Sequence, residues 1–436
     1  MKLAEKLKDK IRNNKETVGI LGLGYVGLPL AVVFAKKQIH VIGFDKSTEK
    51  VSRVNSAENY IADVLNEDLK VVVGKGYLKA TTDFTKISEC DAIIICVPTP
   101  LDKFKKPDMS YIQTASEDIG RYLRKGTFIV LESTTYPTTT EDFVLPIIEE
   151  KSSLLHGEDF WLAFSPERVD PGNKEFKTEN TPKVFGAMTE DGQEIGLALY
   201  SKVISKIYPV SSPRVAEMVK ILENTYRLVN ISLINEIALL AGKMDIDIWE
   251  VIEAAKTKPY GFQAFYPGPG IGGHCIPLDP FYLEYIAKKY DFDLTMIHTA
   301  GHIDNLMSHR MLIKITSALN RYNKSVNGSH ILFLGVAYKP DIDDERESPA
   351  LKIMDEVENK GGIVSYHDPY ISSVRSPAGN EYKSVNYEQI EKVDCVVITT
   401  SHNIFDGNDI ANKSRLVVDL RNVIKRSQTD SSIYKL

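Results

Sequence analysis

The chain writes one grammar twice, near its start and again near its end, and that repetition limits its fold more than any other feature. In the first copy an apolar run, Thr17 to Leu21, meets Gly22-Leu-Gly24-Tyr25-Val26-Gly27. A helical pattern, Leu28 to Ala35, follows, and a second apolar run, His40 to Phe44, stops at Asp45. In the second copy Ile331 to Leu334 is followed by a loop opening on Gly335, a helical stretch from Pro349 to Asn359, and Gly361-Gly362. The run Ile363 to Tyr366 then leads to Asp368, and Val393 to Thr399 later echoes Cys90 to Cys96. A strand, a glycine-bearing turn and a helix returning to a parallel strand form the unit of a doubly wound sheet. The expected fold is therefore α/β, with two Rossmann-like doubly wound domains.

The two turns differ in chemistry. In the first, Gly22 permits the tight turn, Gly24 lets a diphosphate approach the backbone, and Gly27 lets the helix pack on its strand. The helix N-terminus offers N–H groups and partial positive charge to an anion. Asp45, 18 residues after Gly27, suits ribose hydroxyls and repels a 2′-phosphate, so NAD is favoured over NADP, a preference that Lys46 slightly weakens. Tyr25, Val26 and Lys46 join these residues as cofactor-side candidates. In the second copy the glycine turn is replaced by Gly335-Val-Ala-Tyr-Lys-Pro-Asp-Ile-Asp-Asp-Glu-Arg-Glu-Ser-Pro349. Its Lys339 and Arg346 suit a phosphate group through charge, which implies a second, nucleotide-like ligand.

Two further apolar strands emerge into proline-bearing loops. Asp91 to Val97 ends in Pro98-Thr99-Pro100, and Thr127 to Leu131 ends in Glu132-Ser-Thr-Thr-Tyr-Pro137. Ligands of doubly wound sheets bind at strand C-termini, so Pro98, Thr99 and Thr134 are candidates on the nicotinamide side. From Ser211-Ser-Pro213, a good N-cap with proline in the first turn, the chain runs to Gly242 without Gly or Pro, as one long helix. On it Lys220 and Asn224 are i and i+4 and share a face. The polar stretch Asn323 to Ser329 reads as a linker. The domains expected are 1–212, a central helical domain at 213–325 containing the long helix, and 326–436.

One thiol stands in an unusual setting. Gly268-Pro-Gly-Ile-Gly-Gly-His-Cys275-Ile-Pro-Leu-Asp279 surrounds Cys275 with glycines and prolines, which excludes a continuous helix and allows close approach to the main chain. The four cysteines lie far apart without CxxC or paired-His spacing, which points to neither a disulfide framework nor a zinc site. No metal is expected. A net charge of -6 gives no general attraction to nucleic acid or anionic membrane. The N-terminus reads as a short amphipathic helix rather than a secretory signal, and the expected setting is the cytoplasm.

Seven motifs in order complete the picture: GLGYVGLP at 22–29, CVPTP at 96–100, ESTTYP at 132–137, SPERVDPG at 165–172, KILENTYR at 220–227, GPGIGGHCIPLDP at 268–280 and GVAYKPDIDDERESPA at 335–350. Together they resemble the nucleotide-sugar 6-dehydrogenase family over nearly the whole chain. SPERVDPG and GGHCIPLDPFYL look like its N-acetylhexosamine branch, and the loop ending at Cys275 is most similar to members that oxidise UDP-N-acetylglucosamine for surface polysaccharides. The resemblance implies a four-electron oxidation of the sugar C6 alcohol to a carboxylate, with NAD as acceptor and a UDP-sugar as substrate. Cys275 would be the nucleophile, forming a thiohemiacetal and then a thioester. Lys220 and Asn224 would stabilise the oxyanion. Asp279 would position water or tune the lysine, with Glu167 and Thr134 in acid–base roles. Arg168, Tyr266, Gly272, His274, Tyr338, Lys339 and Arg346 would meet the substrate, alongside Glu167, Lys220 and Asn224. The continuation of the long helix, Ile231 to Leu240, is more apolar than one covering face needs, and in relatives the equivalent helix forms a dimer interface, so a homodimer or higher homo-oligomer is expected. The alternatives are a UDP-N-acetylmannosamine or UDP-glucose enzyme and, more remotely, a two-electron β-hydroxyacid-type dehydrogenase.

Overall fold

The computed structural model describes residues 2–425 and 432–436, except 62, 103–105, 171, 174 and 274. The chain forms two compact units, residues 1–223 with 281–291 and residues 224–280 with 292–436.

The first unit is built on eight strands: β1 (Thr17–Leu21), β2 (His40–Phe44), β3 (Leu78–Thr81), β4 (Ala92–Ile95), β5 (Thr127–Leu131), β6 (Phe160–Phe164), β7 (Lys183–Ala187) and β8 (Ile207–Pro209). Their order is β3-β2-β1-β4-β5-β6-β7-β8, and β6 with β7 is the one antiparallel pair. Strands β4, β5 and β6 are buried at every residue, which is why they read as continuous apolar runs rather than alternating ones. Helices α1 (Leu3–Arg12), α2 (Gly27–Lys36), α3 (Thr48–Asn55), α4 (Asn66–Gly74), α5 (Ser110–Tyr122), α6 (Leu145–Ser152) and α7 (Glu190–Tyr200) accompany the sheet. The N-terminal segment is the expected amphipathic helix, burying Ala4, Leu7 and Ile11. Strand order reverses between β1 and β4, the switch point at which a doubly wound sheet opens a crevice.

The long helix α8 spans Pro213–Lys243. Ser212 accepts from the Val215 N–H at 3.4 Å at its start, and Asp245, at φ 58°, turns the chain just beyond its end. In the second unit α9 (Ile248–Lys256), α10 (Asp279–Ala287), whose first two residues belong here, and α11 (Thr295–Arg321) precede a five-stranded parallel sheet. The elements that follow are β9 (His330–Leu334), α12 (Pro349–Asn359), β10 (Ile363–His367), a small hairpin of β11 (Ser373–Arg375) and β12 (Glu381–Lys383), β13 (Cys395–Ile398), α13 (Gly407–Lys413), β14 (Val417–Asp419) and β15 (Ile433–Lys435).

The sheet order β10-β9-β13-β14-β15 repeats the β2-β1-β4-β5-β6 half of the first sheet. The internal echo extends to single hydrogen bonds. Gly22 N–H reaches the Phe44 carbonyl at 2.7 Å, and Gly335 N–H reaches that of His367 at 2.9 Å. Among the described residues no helix is long and apolar enough to cross a membrane.

Candidate functional site

The first glycine turn sits at the switch point. Gly22 has φ 93°, and a Cβ there would lie 2.6 Å from the Cys96 carbonyl oxygen at the end of β4. A Cβ on Gly27 would fall 1.8 Å from the Gly22 carbonyl oxygen, so helix and turn touch backbone to backbone. Gly24 is different: a Cβ there would meet nothing within 4 Å, which leaves the turn open on the side where a diphosphate would approach. No side chain caps the N-terminus of α2, which leaves the task of meeting an anion to the backbone itself. Asp45 accepts from the N–H groups of Leu23 at 3.0 Å and Ser47 at 2.9 Å, bracing the turn. Lys50 stands 3.7 Å from it, and Lys46 is exposed. Tyr60 donates to the Leu23 carbonyl at 2.7 Å. These features fit a dinucleotide. Tyr25 and Pro98 are exposed, Val26 is half-buried, and Thr99 is buried with its carbonyl accepting from the Tyr282 hydroxyl.

The segment after β5 runs to α8. Lys220 Nζ donates to the Thr134 hydroxyl at 2.6 Å, so these two candidates meet. Glu217, one turn before Lys220, accepts from the backbone of Thr138 and Thr140. Glu167 accepts from the N–H groups of Arg168 and Val169, both at 2.8 Å, and is half-buried. Arg168 pairs with Glu223 at 2.5 Å and donates to the Pro182 carbonyl at 2.7 Å. Behind them lies a buried network the sequence did not reveal. Lys183 of β7 meets Glu132 at 2.9 Å, and the Tyr200 hydroxyl donates to the same carboxylate. Burial acts against the Lys183 ammonium, but the Glu132 charge, with Glu167 beyond it, holds its pKa above the ordinary lysine value.

In the second unit the thiol loop is organised by its own neighbours. Of the four cysteines Cys275 alone is exposed. Its carbonyl accepts from the N–H groups of Leu278 at 3.1 Å and Asp279 at 2.8 Å, a single helical turn that leads into α10. The buried Asp279 carboxylate accepts from Asn224 Nδ2 at 2.6 Å. The close approach that the glycines around the thiol suggested is made by the chain itself. A Cβ on Gly268 would meet Arg421, one on Gly270 would meet Pro349, and ones on Gly272 and Gly273 would fall 2.7 Å and 2.8 Å from Tyr338. The loop is glycine-rich because the chain itself occupies that space. Gly273 N–H also donates to the Arg346 carbonyl at 3.0 Å, binding the thiol loop to the 335–349 segment. His274 lies outside the described residues. The Tyr266 ring stacks on Trp249, and its hydroxyl donates to Glu253 at 2.7 Å.

The second turn mirrors the first. Asp368 accepts from Val336 N–H at 2.7 Å and Ala337 N–H at 3.1 Å, as Asp45 does from Leu23. The buried His402 ties this acid to the loop: its Nε2 lies 3.1 Å from Asp368, and its Nδ1 accepts from Asp341 N–H at 2.9 Å. Arg346 is held by Asp344, with Nη2 2.6 Å from the carboxylate, and Lys339 and Tyr338 are half-buried. Arg421 was not foreseen. It follows β14, its Nε donates to the Thr399 carbonyl at 3.0 Å, and among the described residues its guanidinium has no carboxylate partner. Burial pulls its pKa down to about 10, still protonated at neutral pH. The signal was an arginine just past an apolar strand, at the sheet edge where ligands bind.

Comparison with known proteins accords with this arrangement. The NAD binding domain, central domain and UDP binding domain of the UDP-glucose/GDP-mannose dehydrogenase family match residues 16–204, 214–305 and 332–426. The chain is 33% identical over 422 residues to the UDP-N-acetyl-D-glucosamine 6-dehydrogenase of Pseudomonas aeruginosa, covering 95% of this chain and 98% of that protein. It is 36% identical over 406 residues to the UDP-N-acetyl-D-mannosamine dehydrogenase of Campylobacter jejuni, covering 90% and 97%. The solved structure of the UDP-D-ManNAc dehydrogenase of Pyrococcus horikoshii superposes with a TM-score of 0.87 at 32% identity, covering 96% of this chain and 98% of that one. With an NAD-binding domain at one end, a UDP-binding domain at the other and an exposed thiol in the central loop, the chain belongs to the UDP-glucose/GDP-mannose dehydrogenase family.

Proposed function

We propose that the protein oxidises the C6 alcohol of UDP-N-acetylglucosamine to the carboxylate, through a covalent intermediate on Cys275. The observation that carries this reading is the exposed Cys275 thiol opening the turn that ends at Asp279, a buried carboxylate held by Asn224. NAD, when bound, takes up hydride in each of two successive oxidations. The glycine turn at 22–27 with Asp45 would hold it, and Pro98, Thr99 and Thr134 would border the reacting end.

The chain's own residues supply the rest. An aldehyde lacks an alkoxide from which hydride can leave, so the Cys275 thiolate adds to it and forms a thiohemiacetal that can be oxidised. The resulting thioester is hydrolysed to the acid, and the aldehyde is never released. The Lys220 ammonium and the Asn224 amide stabilise negative charge on O6 in the tetrahedral steps. Thr134 and Glu167 move protons through water, and Asp279 orients water or the amide beside it. In the second unit Lys339, Arg346 and Arg421 are the cations for the nucleotide diphosphate, with Tyr338 against the nucleotide. Arg168, Tyr266, Gly272 and His274 remain proposed substrate contacts.

The same reading divides the chain into an NAD-binding domain at 1–212, a central helical domain at 213–325 and a UDP-sugar domain at 326–436. It places the protein in the cytoplasm as a homodimer joined through α8.

The test is NAD reduction with UDP-N-acetylglucosamine, UDP-N-acetylmannosamine, UDP-N-acetylgalactosamine and UDP-glucose side by side. The N-acetylglucosamine sugar should give the highest kcat/KM and two NADH per sugar. Another preferred sugar would move the substrate, and one NADH with free aldehyde would remove the thioester route. Cys275→Ser should abolish acid formation while both ligands still bind.

A further inference from the structure

Glu217 is the buried group beside the proposed reaction residues that the mechanism leaves unused. It lies three residues before Lys220, on the same face of α8, and is 1% exposed. Its Oε2 accepts from Thr138 N–H at 2.6 Å, and its Oε1 accepts from the N–H and hydroxyl of Thr140 at 2.9 Å and 2.7 Å. Three donors and the start of the helical turn at Thr140 compensate the carboxylate for lost water.

The segment needs this grip. Thr138 has φ 80°, and among the described residues it is the only β-branched residue with positive φ. The branched Cβ makes that conformation strained, and such strain persists only where the surroundings enforce it. The Thr138 hydroxyl is buried without a hydrogen-bond partner, so its side chain adds no hydrogen bond to hold the turn. The hold reaches upstream. The Thr135 and Thr139 hydroxyls meet at 2.7 Å, and Thr139 Oγ1 donates to the Tyr136 carbonyl at 2.7 Å. Next to Thr135, Thr134 receives the Lys220 ammonium at 2.6 Å.

We propose that Glu217 is a positioning residue: by holding Thr138 and Thr140 it keeps the strained segment folded and presents the Thr134 hydroxyl to Lys220. The proposal rests on the reading that Thr134 and Lys220 serve the oxidation. Only the ionised carboxylate has both oxygens free to accept all three donors. Burial pushes its pKa up to about 7. The charged and titratable groups that act on it are Arg214 on its own helix and Tyr136 on the segment it holds; beyond them Glu141 pairs with Arg214, and Asp142 and Tyr285 of α10 act on Tyr136. The clamp is therefore completed as pH rises through about 7.

The experiment compares Glu217→Gln with the wild-type chain by amide hydrogen exchange and by steady-state kinetics across neutral pH. Exchange at the Thr138 and Thr140 amides should rise by roughly tenfold or more. The kcat should fall by roughly a hundredfold, with KM for NAD and for the nucleotide sugar within about twofold. The acid limb of kcat near pH 7 should vanish in the variant. Unchanged exchange, or kcat per folded molecule retained with the limb intact, overturns the proposal. Should Glu217→Gln fail to fold, the double variant with Thr138→Gly, in which glycine takes the turn without strain, should fold and show the faster exchange. A double variant that exchanges as slowly as wild type overturns the proposal as well. If the wild-type chain reduces no NAD with any UDP-sugar, the functional reading and the positioning role fall together, while exchange still reports whether Glu217 holds the segment.

Discussion

Thr138 is the residue at which this sequence departs most sharply from what its backbone asks. Several other residues with positive φ, such as Asn14, Asp245, Asp291 and Asn323, are polar turn formers that visit the left-handed region at small cost. A threonine there is strained by about 1–3 kcal/mol, and its buried hydroxyl lacks a partner. Thr138→Gly should release the strain and remove the orphan hydroxyl, while adding about 0.4–1 kcal/mol of unfolded-chain entropy. The expected net gain is about 1 kcal/mol, seen as a rise of about 1–3 °C in the thermal melt. A lower melting temperature would mean that the Thr138 methyl packs well enough to outweigh its backbone. The Thr134–Lys220 and Asn224–Asp279 pairings involve side chains that the sequence already marks, since each sits in a motif and hydroxyl, amine, amide and carboxylate are familiar reaction groups. Glu217 was illegible for the opposite reason. One acid on a long helix looks like part of a solvated face, and only the tertiary fold brings three donors to it.

At the scale of elements, what the sequence made readable was periodicity and punctuation. Strands β1, β2 and β5 and helix α12 fall where apolar runs and the Pro349 and Gly361 boundaries put them, because those signals are local. The antiparallel entry of β7, the hairpin of β11 with β12 and the Glu132–Lys183–Tyr200 network depend on contacts between distant segments, which no local pattern encodes. The thiol loop shows the same limit. Its glycines announced close approach correctly, but not by what, and the occupant proved to be Tyr338, Pro349 and Arg421. A consequence is testable at Gly273, which has φ 84° and would place a Cβ 2.8 Å from the Tyr338 ring. Gly273→Ala should cost about 1–3 kcal/mol from the left-handed backbone and the displaced ring. It should also weaken UDP binding more than NAD binding, because Tyr338 and the 335–349 segment move with it. Isothermal titration with UDP and with NAD separates the two effects, and equal weakening of both would show that the loop's order does not matter selectively to the nucleotide.

For the whole molecule, α8 is the element with two contrasting faces. Val215, Met218, Leu222, Tyr226, Leu233, Ile237 and Leu240 are all exposed, with Leu222 at 63%, and their spacing sets them on one face. Glu217, Lys220 and Asn224 lie on the opposite face and are buried. Single exposed leucines need no explanation, but an apolar row along a helix roughly 45 Å long is the kind of surface a partner covers. A two-fold dimer requires a self-complementary patch, and a helix crossing its own copy supplies one. The paired variant Leu233→Arg with Leu240→Arg puts unpaired charge into that apolar row. It should raise the dimer dissociation constant by roughly a thousandfold or more, since each buried unpaired charge costs several kcal/mol. Sedimentation velocity across micromolar concentrations should then find a dimer for the wild-type chain and a monomer for the variant. A wild-type monomer would leave the row to another partner, whereas a variant that stays dimeric would place the interface on a different surface and leave α8 to its buried face alone.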